Sequence, residues 1–215
     1  IPVSNVPGYS KESVAEQAIA FLLGASKRIF ISDRRTQKDK YQLMQVSELR
    51  GKTLGIIGLG NIGSTVAELA KGIGMKVIAY NRTKTQLKGV TMVSLSKLFK
   101  QSDAITLHTT HEVANNNMIG QSEITKMKKG VIIVNTVDRE LVDEKAMAEG
   151  LKSGKIDTYV YEGEDLVHTP LAKLENAIGF KGFAWYTKEA LENLYQIWIG
   201  NLVALAQGKP QNRVA

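Results

Sequence analysis

The chain has 215 residues, of which 43% are hydrophobic and 23% charged, enough to build one sizeable core in a globular domain. It has no cysteine, which excludes disulfides and thiolate metal sites, and the spacing of His108, His111 and His168 predicts no metal site. No apolar run approaches the roughly 20 residues that span a bilayer, so we expect no membrane segment and a cytoplasmic location. The net charge of +7 is spread along the chain, which favours a solvated basic surface over nucleic-acid binding.

The predicted elements alternate between short β-rich runs and amphipathic helices. The chain begins with a long helix over Ser10–Ile29, followed by a charged, exposed arm over Ser32–Tyr41. The predicted strands cover Thr53–Gly58, Lys76–Tyr80, Ala104–Leu107 and Val131–Asn135. The helices after these strands cover Asn61–Lys71, Leu95–Gln101, Ser122–Met127 and Asp143–Lys152, and a last long helix covers Lys188–Gln207. The alternation indicates an α/β fold with a doubly wound parallel sheet, covered by helices on both faces.

A glycine-rich turn joins the first predicted strand to its helix. It reads Gly58-Leu59-Gly60-Asn61-Ile62-Gly63. The first glycine permits a tight turn, the second lets the backbone approach a diphosphate, and the third lets helix and strand pack closely. Free N–H groups and the positive end of the helix dipole then face the anion. In this context the turn predicts a Rossmann-like dinucleotide-binding domain rather than a turn without a ligand.

The end of the second predicted strand bears on which dinucleotide is bound. A fold of this kind usually places an acid there, which bonds the ribose hydroxyls of NAD. This chain has Asn81 instead, followed by Arg82, Thr83 and Lys84. A neutral amide next to cationic donors favours a 2′-phosphate. We therefore expect NADP in preference to NAD, with solvated turn residues as the alternative.

Short motifs recur in order along nearly the whole chain. They are NVPGYS over 5–10, GKTLGIIG over 51–58, LH at 107–108, NT at 135–136, LVDE over 141–144 and DTY over 157–159. Together they resemble the D-isomer-specific 2-hydroxyacid dehydrogenases, especially those acting on D-lactate and D-2-hydroxyisocaproate. The resemblance implies one NAD(P)-binding Rossmann domain over 1–215, with a helix and arm in 1–50 and a C-terminal helix in 187–208. The family's substrate domain would precede the first motif and is not expected in this sequence.

The resemblance also assigns positions to the cofactor. They are Gly58, Gly60, Asn61, Ile62, Gly63, Asn81, Arg82, Thr83, Thr109, Thr110, Asn115, Thr136, Val137, Asp138 and Asp157. Asn61 and Ile62 match the family's phosphate-contacting pair, and Thr110 replaces a family proline. Thr136 and its two successors would lie beside the nicotinamide, while Asp157 would hold the carboxamide.

The family's catalytic arginine, histidine and glutamate are only partly retained. The family uses the arginine to grip the substrate carboxylate, but Asp138 stands at that position and Arg139 follows it. Arg139 could serve if the loop is shifted, or it could be a surface arginine paired with an acid. Gly182 stands at the histidine position, and the adjacent Lys181 could replace it as general acid or could be a surface lysine.

The family's glutamate has two candidates, Glu162 and Glu164. The run over 157–162 resembles the family's stretch from carboxamide aspartate to catalytic glutamate, which favours Glu162. The segment around Lys155–Asp157 is several residues shorter than the family pattern, and we expect the shortening to remove part of a sheet strand.

The sequence leaves three functions open. The first is NADP- or NAD-dependent reduction of a 2-oxo acid to a D-2-hydroxy acid, with Glu162, Arg139 and Lys181 as catalytic groups. The second is a dinucleotide-binding module without turnover, which the missing arginine and histidine favour. The first helix and the arm resemble the family's dimer-forming region, so we expect a homodimer in either case, and a scaffolding role through that dimer is a third possibility.

Overall fold

A computed structural model describes residues 3–214 and places seven strands in one parallel sheet of order β3-β2-β1-β4-β5-β6-β7. The strands are β1 (Thr53–Ile57), β2 (Lys76–Tyr80), β3 (Thr91–Met92), β4 (Ala104–Leu107), β5 (Val131–Asn135), β6 (Ile156–Glu162) and β7 (Ala177–Phe180). The helices are α1 (Lys11–Ser26), α2 (Ile29–Thr36), α3 (Asn61–Gly72), α4 (Leu95–Gln101), α5 (Gln121–Lys126), α6 (Glu144–Lys152) and α7 (Lys188–Ala206). The predicted doubly wound α/β fold is confirmed.

Helices cover both faces of the sheet. Successive side chains along a strand point to opposite faces, so the side chains on both faces are buried. On one side, Leu54 and Ile56 of β1 pack in a core with α1 and α3. On the other side, Ile105 and Leu107 of β4 pack in a second core with α4, α5 and α6. Two covered faces explain why the strands are apolar at nearly every position rather than at alternate ones.

The N-terminal segment differs from its prediction. The helix predicted over Ser10–Ile29 ends at Ser26, because Arg28 adopts a left-handed conformation (φ 51°) and redirects the chain. The guanidinium of Arg28 contacts Asp157 at 2.5 Å and the carbonyl of Gln45 at 3.3 Å, which holds the reversal in place. The predicted arm is also partly wrong, since its first residues belong to the short helix α2.

The predicted loss of part of a strand at Lys155–Asp157 is wrong. Strand β6 is seven residues long and pairs with β5 along its length. Val131 pairs with Ile156 and Ile132 pairs with Thr158, so Asp157 is an extra residue without a partner on β5. The irregularity therefore lies at the amino end of β6, and the rest of the strand is in regular parallel register.

Helix α7 agrees with its predicted extent to within one residue, and most of its apolar side chains are exposed. Only Ala190 and Asn201 are buried, while Trp198, Ile199 and Leu202 are each more than half exposed. Within residues 3–214, no helix combines the length and the apolar character that crossing a bilayer requires.

Candidate cofactor and active site

All seven parallel strands end at one edge of the sheet, and the predicted site residues follow six of those ends. Parallel strands present their carboxyl ends together, which is where open α/β sheets bind ligands. The glycine turn follows β1, Asn81–Thr83 follow β2, and Thr109–Thr110 lie just beyond β4. Thr136–Asp138 follow β5, and Glu164 and Lys181 lie beyond β6 and β7. With the exception of Asp157, the structure brings the predicted residues to this edge.

The glycine turn has the geometry that phosphate binding requires. Gly58 has φ +97°, and a Cβ there would lie 2.5 Å from the carbonyl oxygen of His108. A Cβ at Gly63 would lie 2.0 Å from the carbonyl oxygen of Gly58, so the helix can approach the strand only without a side chain. The space beside Gly60 is open, and no side chain caps the amino end of α3 among the described residues. The first N–H groups of α3 are therefore available to an anion.

Asn81 supports the turn from the neighbouring strand. Its Oδ1 accepts the N–H of Leu59 at 3.1 Å, and its Nδ2 donates to the carbonyl oxygen of Thr83 at 3.0 Å. The amide thus ties the residues after β2 to the phosphate turn. A carboxylate at this position could accept the Leu59 N–H but could not donate to Thr83.

A cleft of about 280 Å³, here called the β2–β4 cleft, opens beside this amide and is lined by Gly58, Asn81, Arg82, Thr83, Thr109, Thr110, Glu112 and Asn115 among others. Arg82 donates from its two terminal nitrogens to the two oxygens of Glu112, at 2.7 and 3.1 Å. This contact raises the pKa of Arg82 and lowers the pKa of Glu112. The predicted phosphate ligand is therefore already paired with a carboxylate. Glu112 was not predicted from the sequence, where its Glu-x-x-Asn pattern indicates only the cap of a short helical turn.

Asn115 lies in this cleft but has a local role. Its Nδ2 donates to the carbonyl oxygen of Thr110 at 2.9 Å, and its Oδ1 accepts the N–H of Glu112 at 2.8 Å. The Asn115 side chain therefore fixes the conformation of the loop that carries Thr110 and Glu112.

Two buried polar atoms at this edge have no hydrogen-bond partner among the described residues. They are Oγ1 of Thr136 and Nδ1 of His108. A buried hydroxyl without a partner is uncommon and points to a group that the protein does not itself supply. Together with the open space beside Gly60 and the uncapped α3, Thr136 indicates that this edge fits a dinucleotide.

A second space of about 610 Å³, here called the β5–β6 pocket, lies farther along the edge. Its lining includes Thr136, Val137, Asp138, Arg139, Glu144, Glu162, Glu164 and Gly182. Arg139 contacts Glu144 through two of its nitrogens, one of them at 2.7 Å, and donates to the carbonyl oxygen of Asp165. Its guanidinium also lies over the ring of Tyr161 at 5.7 Å. The arginine is therefore paired with an acid, which was the alternative to substrate binding.

The two glutamates differ in environment. Glu162 is 9% exposed and accepts the N–H groups of Phe183 and Ala184, at 3.4 and 3.0 Å. Burial raises the pKa of Glu162, and these two donors oppose that rise. Its carboxylate therefore anchors the segment after β7.

Glu164 faces Gly182, the position that the resemblance assigns to the family's histidine. A Cβ at Gly182 would lie 3.8 Å from Oε1 of Glu164. The ammonium of Lys181 lies 3.6 Å from Oε2 of Glu164 and donates to its carbonyl oxygen. Both side chains are largely exposed, so this pair stands at the mouth of the pocket.

The prediction that Asp157 holds a carboxamide is corrected by the structure. Asp157 is the second residue of β6 and lies at the amino end of the sheet, where it pairs with Arg28. A strand rises about 3.3 Å per residue, so the length of β6 separates Asp157 from the carboxyl edge.

No group of three or more metal-binding side chains occurs in the part of the chain that the structure describes. The parallel sheet, the glycine turn and the carboxyl-edge clefts define a Rossmann-like dinucleotide-binding domain. The profile of the NAD binding domain of D-isomer specific 2-hydroxyacid dehydrogenases matches residues 19–179, and the chain belongs to this family. The predicted family resemblance is thereby confirmed.

Relatives and a solved structure agree with this family. The chain is 37% identical to a D-3-phosphoglycerate dehydrogenase of Archaeoglobus fulgidus, over 98% of this chain and 42% of that protein. It is 34% identical to a glyoxylate reductase of Korarchaeum cryptofilum, over its full length and 69% of that protein. An acyclic imino acid reductase in complex with NADPH and D-Arg superposes with a TM-score of 0.93 at 34% identity, over 100% of this chain and 71% of that one. The chain thus spans only part of the length of these proteins.

Proposed function

We propose that the protein reduces a small 2-oxo acid to a 2-hydroxy acid with a nicotinamide dinucleotide, and that this chain is the part that holds the cofactor. The observation that carries the proposal is the uncapped mouth of α3 beside the open space at Gly60, on the same edge as the unpartnered hydroxyl of Thr136. The family and the relatives named above supply the reaction class.

We assign the two ends of the cofactor to the β2–β4 cleft and the β5–β6 pocket, with the diphosphate between them at the glycine turn. The N–H groups at Asn61, Ile62 and Gly63 bind the diphosphate, and the β2–β4 cleft takes the adenosine end. Thr136 and Asp138 in the β5–β6 pocket position the nicotinamide. When bound, the nicotinamide supplies the hydride for the carbonyl carbon.

The proton for the carbonyl oxygen requires a separate group. We propose that Lys181 provides it and that Glu164 positions the ammonium, because these two side chains lie 3.6 Å apart at the mouth of the pocket. We favour Glu164 over Glu162 because the carboxylate of Glu162 already accepts two backbone N–H groups. Arg139 would have to leave Glu144 to bind a substrate carboxylate, so we do not assign it that role.

For the cofactor we propose NADP in preference to NAD, with Arg82 as the ligand of the 2′-phosphate. The test is isothermal titration calorimetry with NADPH and NADH on the protein and on Arg82→Ala. Loss of one charge-assisted contact should weaken NADPH binding about tenfold and change NADH binding less than twofold. Lys100→Ala removes an exposed positive charge from α4 and serves as the control. Equal losses for the two nucleotides would contradict the preference, and no binding of either would contradict the proposed function.

Turnover is tested separately. The protein is mixed with NADPH or NADH and a panel of small 2-oxo acids, and the loss of nicotinamide absorbance is followed. We expect turnover that Lys181→Ala reduces by about a hundredfold or more, while Lys173→Ala, in an exposed turn, leaves it unchanged. Nucleotide binding without turnover would contradict the catalytic assignment and leave a binding module.

We further propose that the protein is a homodimer, which the resemblance of its N-terminal region implies. Two large apolar side chains of that region, Leu23 and Ile29, are 36% and 54% exposed, which supports a contact there. Light scattering after size-exclusion chromatography measures the mass directly, and a monomer at micromolar concentration would contradict this proposal.

A further inference from the structure

We propose that Glu112 sets the preference between NADP and NAD by competing with the 2′-phosphate for Arg82, an inference that rests on the proposed function. The pair spans the β2–β4 cleft. Arg82 follows β2, Glu112 lies in the loop after β4, and β1 separates those two strands in the sheet. The two residues therefore join opposite walls of the cleft at its rim.

The carboxylate partner is held more firmly than the arginine. The backbone N–H of Glu112 donates to Asn115, and Asn115 is tied in turn to Thr110, so the loop defines where the carboxylate stands. Arg82 has no other side-chain partner among the described residues, and its side chain is 74% exposed, against 45% for Glu112. The guanidinium is therefore the member of the pair that can move.

The two dinucleotides make different demands on this pair. A ribose 2′-hydroxyl is neutral and leaves the contact between Arg82 and Glu112 intact. A 2′-phosphate brings negative charge next to Glu112, and it can take the two donors that Arg82 gives to the carboxylate only if the guanidinium turns away. An exposed ion pair is weak, so a phosphate can displace it, but part of the binding energy is lost in doing so. Glu112 therefore lowers NADP affinity relative to NAD without excluding NADP.

Glu112→Gln tests this mechanism because it removes the charge and keeps the shape. Titration calorimetry should show NADPH binding about three- to fivefold more tightly to this variant, the range set by an exposed ion pair, with NADH changed less than twofold. Glu149→Gln is the matched control, since Glu149 also forms an exposed ion pair, with Lys152 on α6. The control should leave both affinities unchanged.

Combining Glu112→Gln with Arg82→Ala distinguishes competition for Arg82 from direct charge repulsion between Glu112 and the 2′-phosphate. In Arg82→Ala, there is no guanidinium to compete for, so adding Glu112→Gln should change NADPH affinity less than twofold. If Glu112→Gln raises NADPH affinity as much in the Arg82→Ala protein as in the unaltered protein, the proposed competition is wrong. It is also wrong if Glu112→Gln alone leaves the ratio of NADPH to NADH affinity unchanged. Failure of the proposed function looks different, because the unaltered protein would then bind neither nucleotide.

Discussion

The burial of His108 in its neutral form predicts that the folded protein loses stability in mild acid. Its Nε2 lies 2.8 Å from the hydroxyl of Thr106, its Nδ1 is buried without a partner among the described residues, and burial lowers its pKa to about 3. An unfolded histidine has a pKa near 6.5, so between these values the unfolded chain takes up a proton that the folded chain does not. Folding stability therefore falls as the pH drops below 6.5. At pH 5, about 1.5 units below the pKa of the unfolded histidine, this proton uptake lowers the free energy of unfolding by about 2 kcal/mol.

The assay is urea unfolding followed by circular dichroism at pH 7 and pH 5. The protein should lose about 2 kcal/mol more between these pH values than His108→Gln, which cannot take up the proton but can still bond Thr106. His168→Gln is the control, because that side chain is 86% exposed, and it should lose as much stability as the unaltered protein. If His108→Gln shows the same pH dependence as the unaltered protein, the histidine is not buried in its neutral form and the reasoning fails.

Three further predictions concern the turn, the sheet and the pocket. Gly63→Ala should lower the free energy of unfolding by about 2 kcal/mol and abolish nucleotide binding, because the new methyl group meets backbone at 2.0 Å. Gly60 has open space around it, so Gly60→Ala should unfold in urea like the unaltered protein. Equal urea-unfolding midpoints for Gly63→Ala and the unaltered protein would contradict this prediction. Asp103→Asn should cost about 1 kcal/mol at pH 7. Burial raises the pKa of Asp103, but a lysine and a backbone N–H outweigh burial and lower it, so the ionised aspartate stabilises the fold above its ordinary pKa. The difference in urea unfolding should vanish as the pH falls below that ordinary value and through the lowered pKa of the folded protein, and a constant difference would refute it. Gly182→His would place an imidazole beside Glu164 and should raise turnover of a 2-oxo acid about tenfold or more; unchanged turnover would contradict that placement.

Periodicity and turn chemistry predicted the four strands β1, β2, β4 and β5 and the phosphate turn, because these depend on local sequence, whereas β3, β6 and β7 were not predicted as strands. Runs such as Val131–Asn135 are apolar at nearly every position, which only a strand covered on both faces requires. The two-residue strand β3 carries no comparable pattern, and it forms because the adjacent β2 offers it an edge. The break at Arg28 depends on Asp157, which is 129 residues away in sequence, so no local pattern could indicate it.

The site was predicted unevenly for the same reason. Residues directly after predicted strands, such as Asn81 and Thr136, were placed correctly at the edge because the fold dictates where strand ends lie. Glu112 was missed because its importance comes from a partner on another loop, which periodicity does not encode. The sequence favours Glu162 and leaves Glu164 as the alternative, whereas our proposal of Glu164 depends on the different surroundings of the two side chains, which sequence spacing does not give.

The extra residue at the start of β6 shows where this architecture tolerates changes in chain length. The insertion is taken up within one position of the strand, and Tyr159 to Glu162 then pair with β7 residue by residue up to the carboxyl edge. One extra residue at the amino side of the sheet is therefore absorbed there, while the carboxyl edge keeps its regular spacing. An engineer who wishes to graft a tag or a sensor domain into this protein should choose the connection between α6 and β6, far from the chemistry.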